Sequence, residues 1–273
     1  PKNTIGEPKF KTNVEIIHFG RNIQDDFNFE QDFEFQEDLF SVLNSLDKNA
    51  LHSVIGGKRC GFWGFGMQVV FGNMTEINRD LVCVLIPTLN EKETIGPVIE
   101  ELKAFGYNNI LVADGRSTDG TPEIAEKLGA KVMTQQGKGK GKAMIEAFSV
   151  ITEPYILMLD GDGTNPPEFA DRMVEPLFAG RADHVIGNRL ESYEKGALTK
   201  LNRFGNDVMN RMFKWAHGVY MTDILSGYRA FTKESLEQMH LTEAGFEIET
   251  EISSEIVHHN LRFEVVPTYY KKR

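Results

Sequence analysis

Two aspartates separated by one glycine, Asp160 and Asp162, follow the apolar run 155–159, and a second glycine, Gly163, comes next. In extended backbone, residues i and i+2 project to the same side, so both carboxylates face one crevice. Like charges repel, and such a pair makes chemical sense around a hard divalent cation that also holds phosphate oxygens. Gly161 and Gly163 leave room for close backbone approach. A plain Asp-Gly turn would account for one of the aspartates but not both.

Other reactive side chains gather at comparable places. The apolar run 82–86 ends in Pro87-Thr88-Leu89-Asn90-Glu91, and 110–113 ends in Asp114-Gly115-Arg116. Asp114 at a strand end is placed to accept hydrogen bonds from a base or ribose. Asp119 or Thr121 caps the helix that Pro122 opens, which makes Asp119 structural. Gly137-Lys138-Gly139-Lys140-Gly141-Lys142 precedes a helix beginning near Ala143; it reads either as an anion-binding helix N-terminus or as a flexible basic loop. Asn188-Arg189 ends the run 184–187. Arg203, Asn206 and Asn210 fall at i, i+3 and i+7 on one face of a helix over 197–217. Such a polar stripe is ordinarily solvated, while Arg189 and Arg203 together could grip a phosphate. Asp223-Ile224-Leu225-Ser226-Gly227-Tyr228-Arg229 follows, then a helix opened by 246–251, an apolar strand at 261–267 and the basic end Lys271-Lys272-Arg273.

The elements that must position these groups are regular from Leu81 onward. Apolar runs at 82–86, 110–113, 131–133, 156–159 and 184–187 alternate with amphipathic stretches at 94–105, 122–128, 142–150 and 167–178. That alternation predicts βαβ units, hence an α/β fold with a mostly parallel sheet covered by helices on both faces and right-handed crossovers. Ligands of such sheets bind beyond the carboxyl ends of the strands, where the polar residues above sit. The segment before Leu81 differs. Stretch 25–38 holds seven acids and no base, with Phe27, Phe29, Phe33 and Phe35 interleaved, as in an edge strand, a hairpin arm or an acidic linker. Segment 39–51 has a helical pattern. The Gly- and aromatic-rich 56–72 lacks the Gly-Lys-Ser/Thr ending of a phosphate loop. The expected division is therefore an irregular N-terminal extension, 1–80, of no assignable role, and one domain, 81–273.

With 30 Lys+Arg against 40 Asp+Glu, the 273-residue chain carries a formal charge of -10. That balance excludes nucleic acid as its main partner. No window approaches the roughly 20 apolar residues of a membrane span. The two cysteines, Cys60 and Cys83, form neither a disulfide framework nor a metal quartet and read as reduced, in keeping with a cytoplasmic setting.

In their order along the chain, Pro87 to Glu91, Asp114 to Thr121, Gly139 to Ala143, Asp160 to Glu168, Gly187-Asn188-Arg189, Asp223 with Ser226-Gly227-Tyr228-Arg229-Ala230-Phe231, and the closing 264–273 resemble family 2 inverting glycosyltransferases of the GT-A fold. The chain looks most like the polyprenyl-phosphate sugar transferases typified by dolichol-phosphate mannose synthase. The resemblance covers about residues 80–273 and none of 1–79. It implies a GT-A, Rossmann-like sheet sandwiched by helices. It also implies a metal-dependent inverting transfer of a sugar from a UDP- or GDP-sugar to a polyprenyl (dolichyl) phosphate. Pro87, Leu89, Glu91, Asp114, Lys140, Asp160 and Arg273 would bind the nucleotide sugar. Asp160 and Asp162 would hold Mg²⁺ or Mn²⁺. Arg189 and Arg203, with Arg273, would grip the acceptor phosphate or the donor diphosphate. Asp223 would be the base or a base-orienting group. Two departures stand out: Ala113 occupies a position where the family often has a first Asp, and Thr164-Asn165 replaces a Gln near the metal motif.

A phosphate monoester acceptor is already an anion near neutral pH and needs positioning by Arg189 and Arg203 more than a base. A hydroxyl acceptor needs its proton removed, and Asp223 is the candidate. A lipid-phosphate acceptor implies contact with a membrane surface, at the cytoplasmic face, and the chain's end just after the last motif is compatible with membrane helices beyond it. Two alternatives remain open: a soluble transferase that glycosylates a small acid such as phosphoglycerate, and a catalytically dead sugar-nucleotide-binding scaffold.

Overall fold

The computed structural model describes the strands β1 (Glu15–His18) and β2 (Met67–Val70) and the continuous stretch 75–273. The chain divides into two units, Pro1–Met74 and Thr75–Arg273. In the first, β1 and β2 pair antiparallel, with Glu15 opposite Val70 and His18 opposite Met67. The expectations for 25–38, 39–51 and Cys60 lie outside the described residues.

The second unit begins slightly ahead of the expected 81. Thr75 Oγ1 donates to Glu175 at 3.3 Å, and the Arg79 guanidinium clasps Asp171 at 3.1 and 2.5 Å, which ties this lead-in to the domain that follows. Its strands are β3 (Val82–Thr88), β4 (Ile110–Asp114), β5 (Lys131–Thr134), β6 (Tyr155–Met158), β7 (His184–Tyr193), β8 (Arg229–Thr232) and β9 (Phe263–Tyr270). Its helices are α1 (Ile95–Ala104), α2 (Thr121–Lys127), α3 (Lys140–Val150), α4 (Ala170–Phe178), α5 (Lys200–His217), α6 (Lys233–Gln238) and α7 (Ile248–His258).

The seven strands form one sheet in the order β5-β4-β3-β6-β8-β7-β9. All neighbours are parallel except that β8 runs against both β6 and β7. This is the mostly parallel, helix-covered α/β arrangement of the GT-A fold. Every residue of β3 and β4 is buried, as expected where helices cover both faces of a parallel sheet. Alternation splits β3 between two apolar clusters. Val82, Val84 and Ile86 join Ile99 of α1 and Met173 of α4 on one side, and Cys83 and Leu85 join Met144 of α3 and Ile252 of α7 on the other. Truncating one of the large aliphatic side chains to Ala costs about 2–5 kcal/mol. Burial pushes the Cys83 thiol up to about 12, consistent with an inert structural cysteine.

Two features differ from the sequence reading. β7 continues past residue 187 to Tyr193, because β9 pairs along its extension (Ser192 with Tyr269, Tyr193 with Tyr270) beyond an irregularity after Asn188. The short strand β8 was not expected. Its four residues begin with Arg229, whose charge masks a strand pattern, yet that side chain is fully buried.

Arg229 is held without a carboxylate partner within ion-pair distance among the described residues. Its Nε donates to the Ser226 carbonyl at 2.8 Å, one Nη to the Ile224 carbonyl and to Ser253 Oγ, and the other lies 3.2 Å from His184 Nε2. Burial pushes the guanidinium down to about 10, with Glu249 and Asp223 opposing that fall. His184 is therefore neutral and accepts from Arg229. Burial and then the Arg229 charge hold its imidazole well below its ordinary value. Below about pH 6.5 the unfolded chain binds a proton at this His that the folded chain does not, so stability falls as pH drops through that window. Denaturant unfolding at about pH 7.5 and about pH 5.5 checks this. His184→Gln should narrow the stability difference between the two, and an unchanged difference would contradict it.

Candidate active site

The polar residues singled out above fall into clusters just past the ends of β3, β4 and β6 and midway along β7, where Arg189 follows the irregularity after Asn188. Asp160 follows β6 by two residues. Its Oδ1 accepts from Lys140 Nζ at 2.6 Å, and the same ammonium is 2.7 Å from Glu249 Oε1. Lys140 opens α3 and Glu249 lies in the first turn of α7, so three elements are joined through one cation. Burial by itself would lower the Lys140 ammonium, but Asp160 and Glu249 more than offset it and hold the group above its ordinary value. Burial would raise the Asp160 carboxyl, but Lys140, with the more distant Arg189 and Arg273 charges, holds it below the usual carboxylate range. Asp160 is thus a carboxylate in direct contact with one cation, Lys140, inside an acidic protein.

The second cluster is built on Asp223. Its carboxylate is fully buried and accepts from Arg189 Nε at 2.9 Å, Arg189 Nη2 at 2.8 Å, the Arg189 backbone N–H at 2.9 Å and Asn206 Nδ2 at 2.7 Å. Burial would raise this carboxyl; Arg189 outweighs burial and keeps it low. Asp223 also has a positive φ. That left-handed backbone is uncommon outside glycine and is held here by these bonds. Arg189 lies over the Tyr270 ring, 5.2 Å from its centroid, a favourable placement for a cation. Between the clusters stands Gly227. A Cβ there would lie 2.5 Å from Asp160 Oδ2, so only glycine lets the 223–229 loop pass behind the Asp160 carboxylate.

The remaining expected residues fall in different places. Asp162 Oδ1 accepts from the Thr164 N–H at 3.1 Å and Thr164 Oγ1 at 2.7 Å. Among the described residues nothing donates to its Oδ2, and no group of three or more His, Cys, Asp or Glu is gathered. A divalent cation at Asp160 and Asp162 would therefore complete its shell with water and ligand phosphates, which suits Mg²⁺-type binding by one or two carboxylates. Two carboxylates are the donor type such an ion takes, although residues 161–162 form a turn rather than the extended backbone expected, and Asp160 Oδ1 is already bonded to Lys140. Asp114 is buried, and its carboxylate accepts the N–H groups of Arg116 at 2.9 Å and Ser117 at 3.1 Å, closing the loop after β4. Asp119 accepts from Thr121 N–H and Oγ1 at 3.0 and 2.6 Å and from the Lys92 N–H at 3.1 Å, so it is structural as expected, but the residue that caps α2 is Gly120, in a left-handed backbone, rather than Asp119 or Thr121. Glu91 pairs with Arg273 at 2.6 Å, bringing the final residue of the chain to the end of β3. Pro87 is buried, while Leu89 is exposed beside that loop.

Arg203 is exposed, with its guanidinium on Tyr193 (2.6 Å to the hydroxyl), whereas Asn206 and Asn210 point inward. The three do not share one solvated face, because Asn206 bonds Asp223 and Asn210 Oδ1 accepts the Ile224 N–H at 3.2 Å. The start of α3 is likewise not open to an anion. Its Gly141 and Lys142 N–H groups donate to the carbonyls of Gly245 and Ala244, at 3.1 and 3.2 Å. Side chains at Gly139 and Gly141 would collide with that loop. Two contributors were given no role by the sequence reading: Glu249 and Arg229. Glu249 had a usable signal, since it shares the inward stripe of α7 with Ile252, Ser253 and Ile256, where an unpartnered acid is out of place.

Comparison with known proteins shows the family. Residues 83–239 match the model of the family described as glycosyl transferase family 2. The chain is 52% identical over 195 residues to glycosyltransferase AglJ of Haloferax volcanii, covering 71% of this chain and 64% of that protein. It therefore spans a little less than two thirds of that relative's length. It is 33% identical over 205 residues to a dolichyl-phosphate hexose transferase of the same organism, covering 73% and 87%. Among solved structures, glucosyl-3-phosphoglycerate synthase from Mycobacterium tuberculosis in complex with Mn²⁺ and uridine-diphosphate-glucose shares the fold, with TM-score 0.57, 22% identity and 70% and 71% coverage. The carboxylate–lysine and arginine–aspartate clusters thus sit in a chain that belongs to glycosyl transferase family 2.

Proposed function

We propose that this glycosyltransferase moves a sugar from a nucleoside-diphosphate sugar to a polyprenyl phosphate, with inversion at the anomeric carbon. The observation that carries the reading is the Arg189 guanidinium, pinned by Asp223 at the start of the loop whose Gly227 packs against the Asp160 carboxylate. One anion, the donor diphosphate, suits Asp160 and Asp162 with a bound cation; a second anion suits Arg189. The relative named dolichyl-phosphate hexose transferase supports a lipid phosphate as that second anion. A bilayer-borne acceptor would bring the chain to a membrane surface, in our reading the cytoplasmic one. A UDP-sugar is our preferred donor over a GDP-sugar.

In this scheme an acceptor phosphate oxygen attacks the anomeric carbon, and the bond from that carbon to the donor diphosphate breaks as the nucleoside diphosphate leaves. Mg²⁺ or Mn²⁺ held by Asp160 and Asp162 supplies positive charge for the diphosphate. Lys140, already charged and partnered, adds a fixed cation beside it. Pro87, Leu89, Glu91 and Asp114 border the nucleotide side, with Arg273 closing it through Glu91. Arg189 orients the acceptor, with the exposed Arg203 of α5 as a second cation for its phosphate. The attacking group is an anion and needs no proton removed. Asp223, buried and held in its charged form by Arg189, is accordingly a positioning residue for that arginine.

Two measurements test this. In thermal-shift assays, UDP- or GDP-sugars with Mn²⁺ should raise Tm by about 5–10 °C at roughly 100-fold excess over Kd. Asp162→Asn should lose the Mn²⁺-dependent part, and no shift with any donor would favour a scaffold without donor binding. Asp223→Asn should lower kcat/KM for the acceptor about 100-fold while leaving the shape of the pH–rate profile unchanged. Loss of the acidic limb of that profile would instead identify Asp223 as a proton acceptor, and near-normal turnover would remove it from the machinery altogether.

A further inference from the structure

Helix α5 turns its apolar side to solvent. Leu201, Phe204, Val208, Met212 and Trp215 recur at three- and four-residue steps along one stripe, and all five are exposed, Trp215 to 89%. The opposite, inward face carries Asn206 and Asn210 with Phe213. A helix on a protein surface normally buries its apolar stripe; α5 reverses this because its inward asparagines bond Asp223 and the Ile224 N–H. A contiguous exposed apolar stripe of this size marks an interaction surface.

The charges on α5 indicate what the surface fits. Lys200, Arg203, Arg211 and Lys214 face a single acid, Asp207. With 3.6 residues per helical turn, all five lie on one flank of the apolar stripe. This is a basic helix on a chain whose formal charge is -10. We propose that α5 lies flat on an anionic lipid bilayer, with Leu201, Phe204, Val208, Met212 and Trp215 in the headgroup–acyl boundary and the basic flank against acidic headgroups. Cations beside a Trp- and Phe-bearing face are the composition of interfacial helices. A second copy of the chain fits less well, since an antiparallel two-fold contact of this helix with its copy would set basic flank near basic flank. Among the described residues no helix is long and apolar enough to cross a membrane, so the contact is one of lying on the bilayer.

The inference deepens the proposed acceptor reading and rests on it in one respect. The inward face of α5 holds Asp223, which holds Arg189, so the thickness of that one helix separates the lipid-facing side from this pair. A polyprenyl phosphate could keep its tail in the leaflet while its phosphate reaches Arg189.

Co-sedimentation of the full chain with vesicles tests the docking without donor or polyprenyl phosphate present. The chain should pellet with phosphatidylcholine–phosphatidylglycerol vesicles, weakly with phosphatidylcholine alone, and less at high salt. The double variant Phe204→Ser/Trp215→Ser should lower partitioning by about 10-fold or more. Arg211→Gln/Lys214→Gln should remove the preference for phosphatidylglycerol. Donor-induced thermal shifts retained in both variants would show that they are folded. Absence of vesicle binding by the wild type, or equal binding by the Phe204/Trp215 variant, would overturn the proposal. So would light scattering that shows a dimer dissociated by that variant, with no vesicle binding. Transfer to a short-chain, water-soluble polyprenyl phosphate separates the two readings: it persists if only the docking is wrong and fails if the acceptor is wrong.

Discussion

The buried pair between Arg189 and Asp223 is the interaction on which the candidate site depends. One carboxylate with no solvent exposure takes four hydrogen bonds, three from Arg189 and one from Asn206. Those bonds join the middle of β7, the inward face of α5 and the start of the 223–229 loop. Removing one partner of such a pair costs about 3–5 kcal/mol, because the other charge is left buried and uncompensated. The same loop then passes Gly227 behind Asp160 and delivers Arg229 into the core, where it bonds two of the loop's own carbonyls. The position of Asp160 is thus set partly by a pair of residues on other elements.

The second constraint is electrostatic. In an acidic chain cations are set locally by their partners, and here Lys140, Arg189 and Arg273 are each held by a carboxylate. Lys140 bridges Asp160 and Glu249, while Arg189 and Arg273 act on Asp160 from farther away. Lys140 is fixed by the packing of Gly139 and Gly141 against the 243–245 loop, which leaves no room for side chains there. The glycines of the Gly-Lys-Gly-Lys-Gly run therefore serve close packing and the placement of one lysine's backbone, and the helix-end N–H groups already have carbonyl partners.

Much of this was legible in sequence for a plain reason. Parallel strands buried on both faces read as short apolar runs, and the chemistry of such sheets collects at their ends. The βα alternation, Asp114, Asp160 and Arg189 were therefore all visible. What was missed depends on tertiary partners that no local pattern encodes. β8 begins with a charged residue whose burial is possible only because His184, Ser253 and two carbonyls surround it. The polar stripe of α5 points inward because Asp223, on the loop that follows the helix, needs a partner there. Glu249 is the counter-ion of a lysine on a different helix.

In the proposed reading the two clusters serve two anions, the donor diphosphate on the Asp160 side and the acceptor phosphate on Arg189. The most direct measurement compares acceptors that differ only in the phosphate: sugar transfer to a polyprenyl phosphate and to the matching polyprenol, in the wild-type chain and in Arg189→Gln. Transfer to the phosphate alone, with the acceptor KM raised by about 10-fold or more in Arg189→Gln while donor binding is retained, is the expected result. Comparable transfer to the neutral alcohol, or an acceptor KM unmoved by Arg189→Gln, would contradict it.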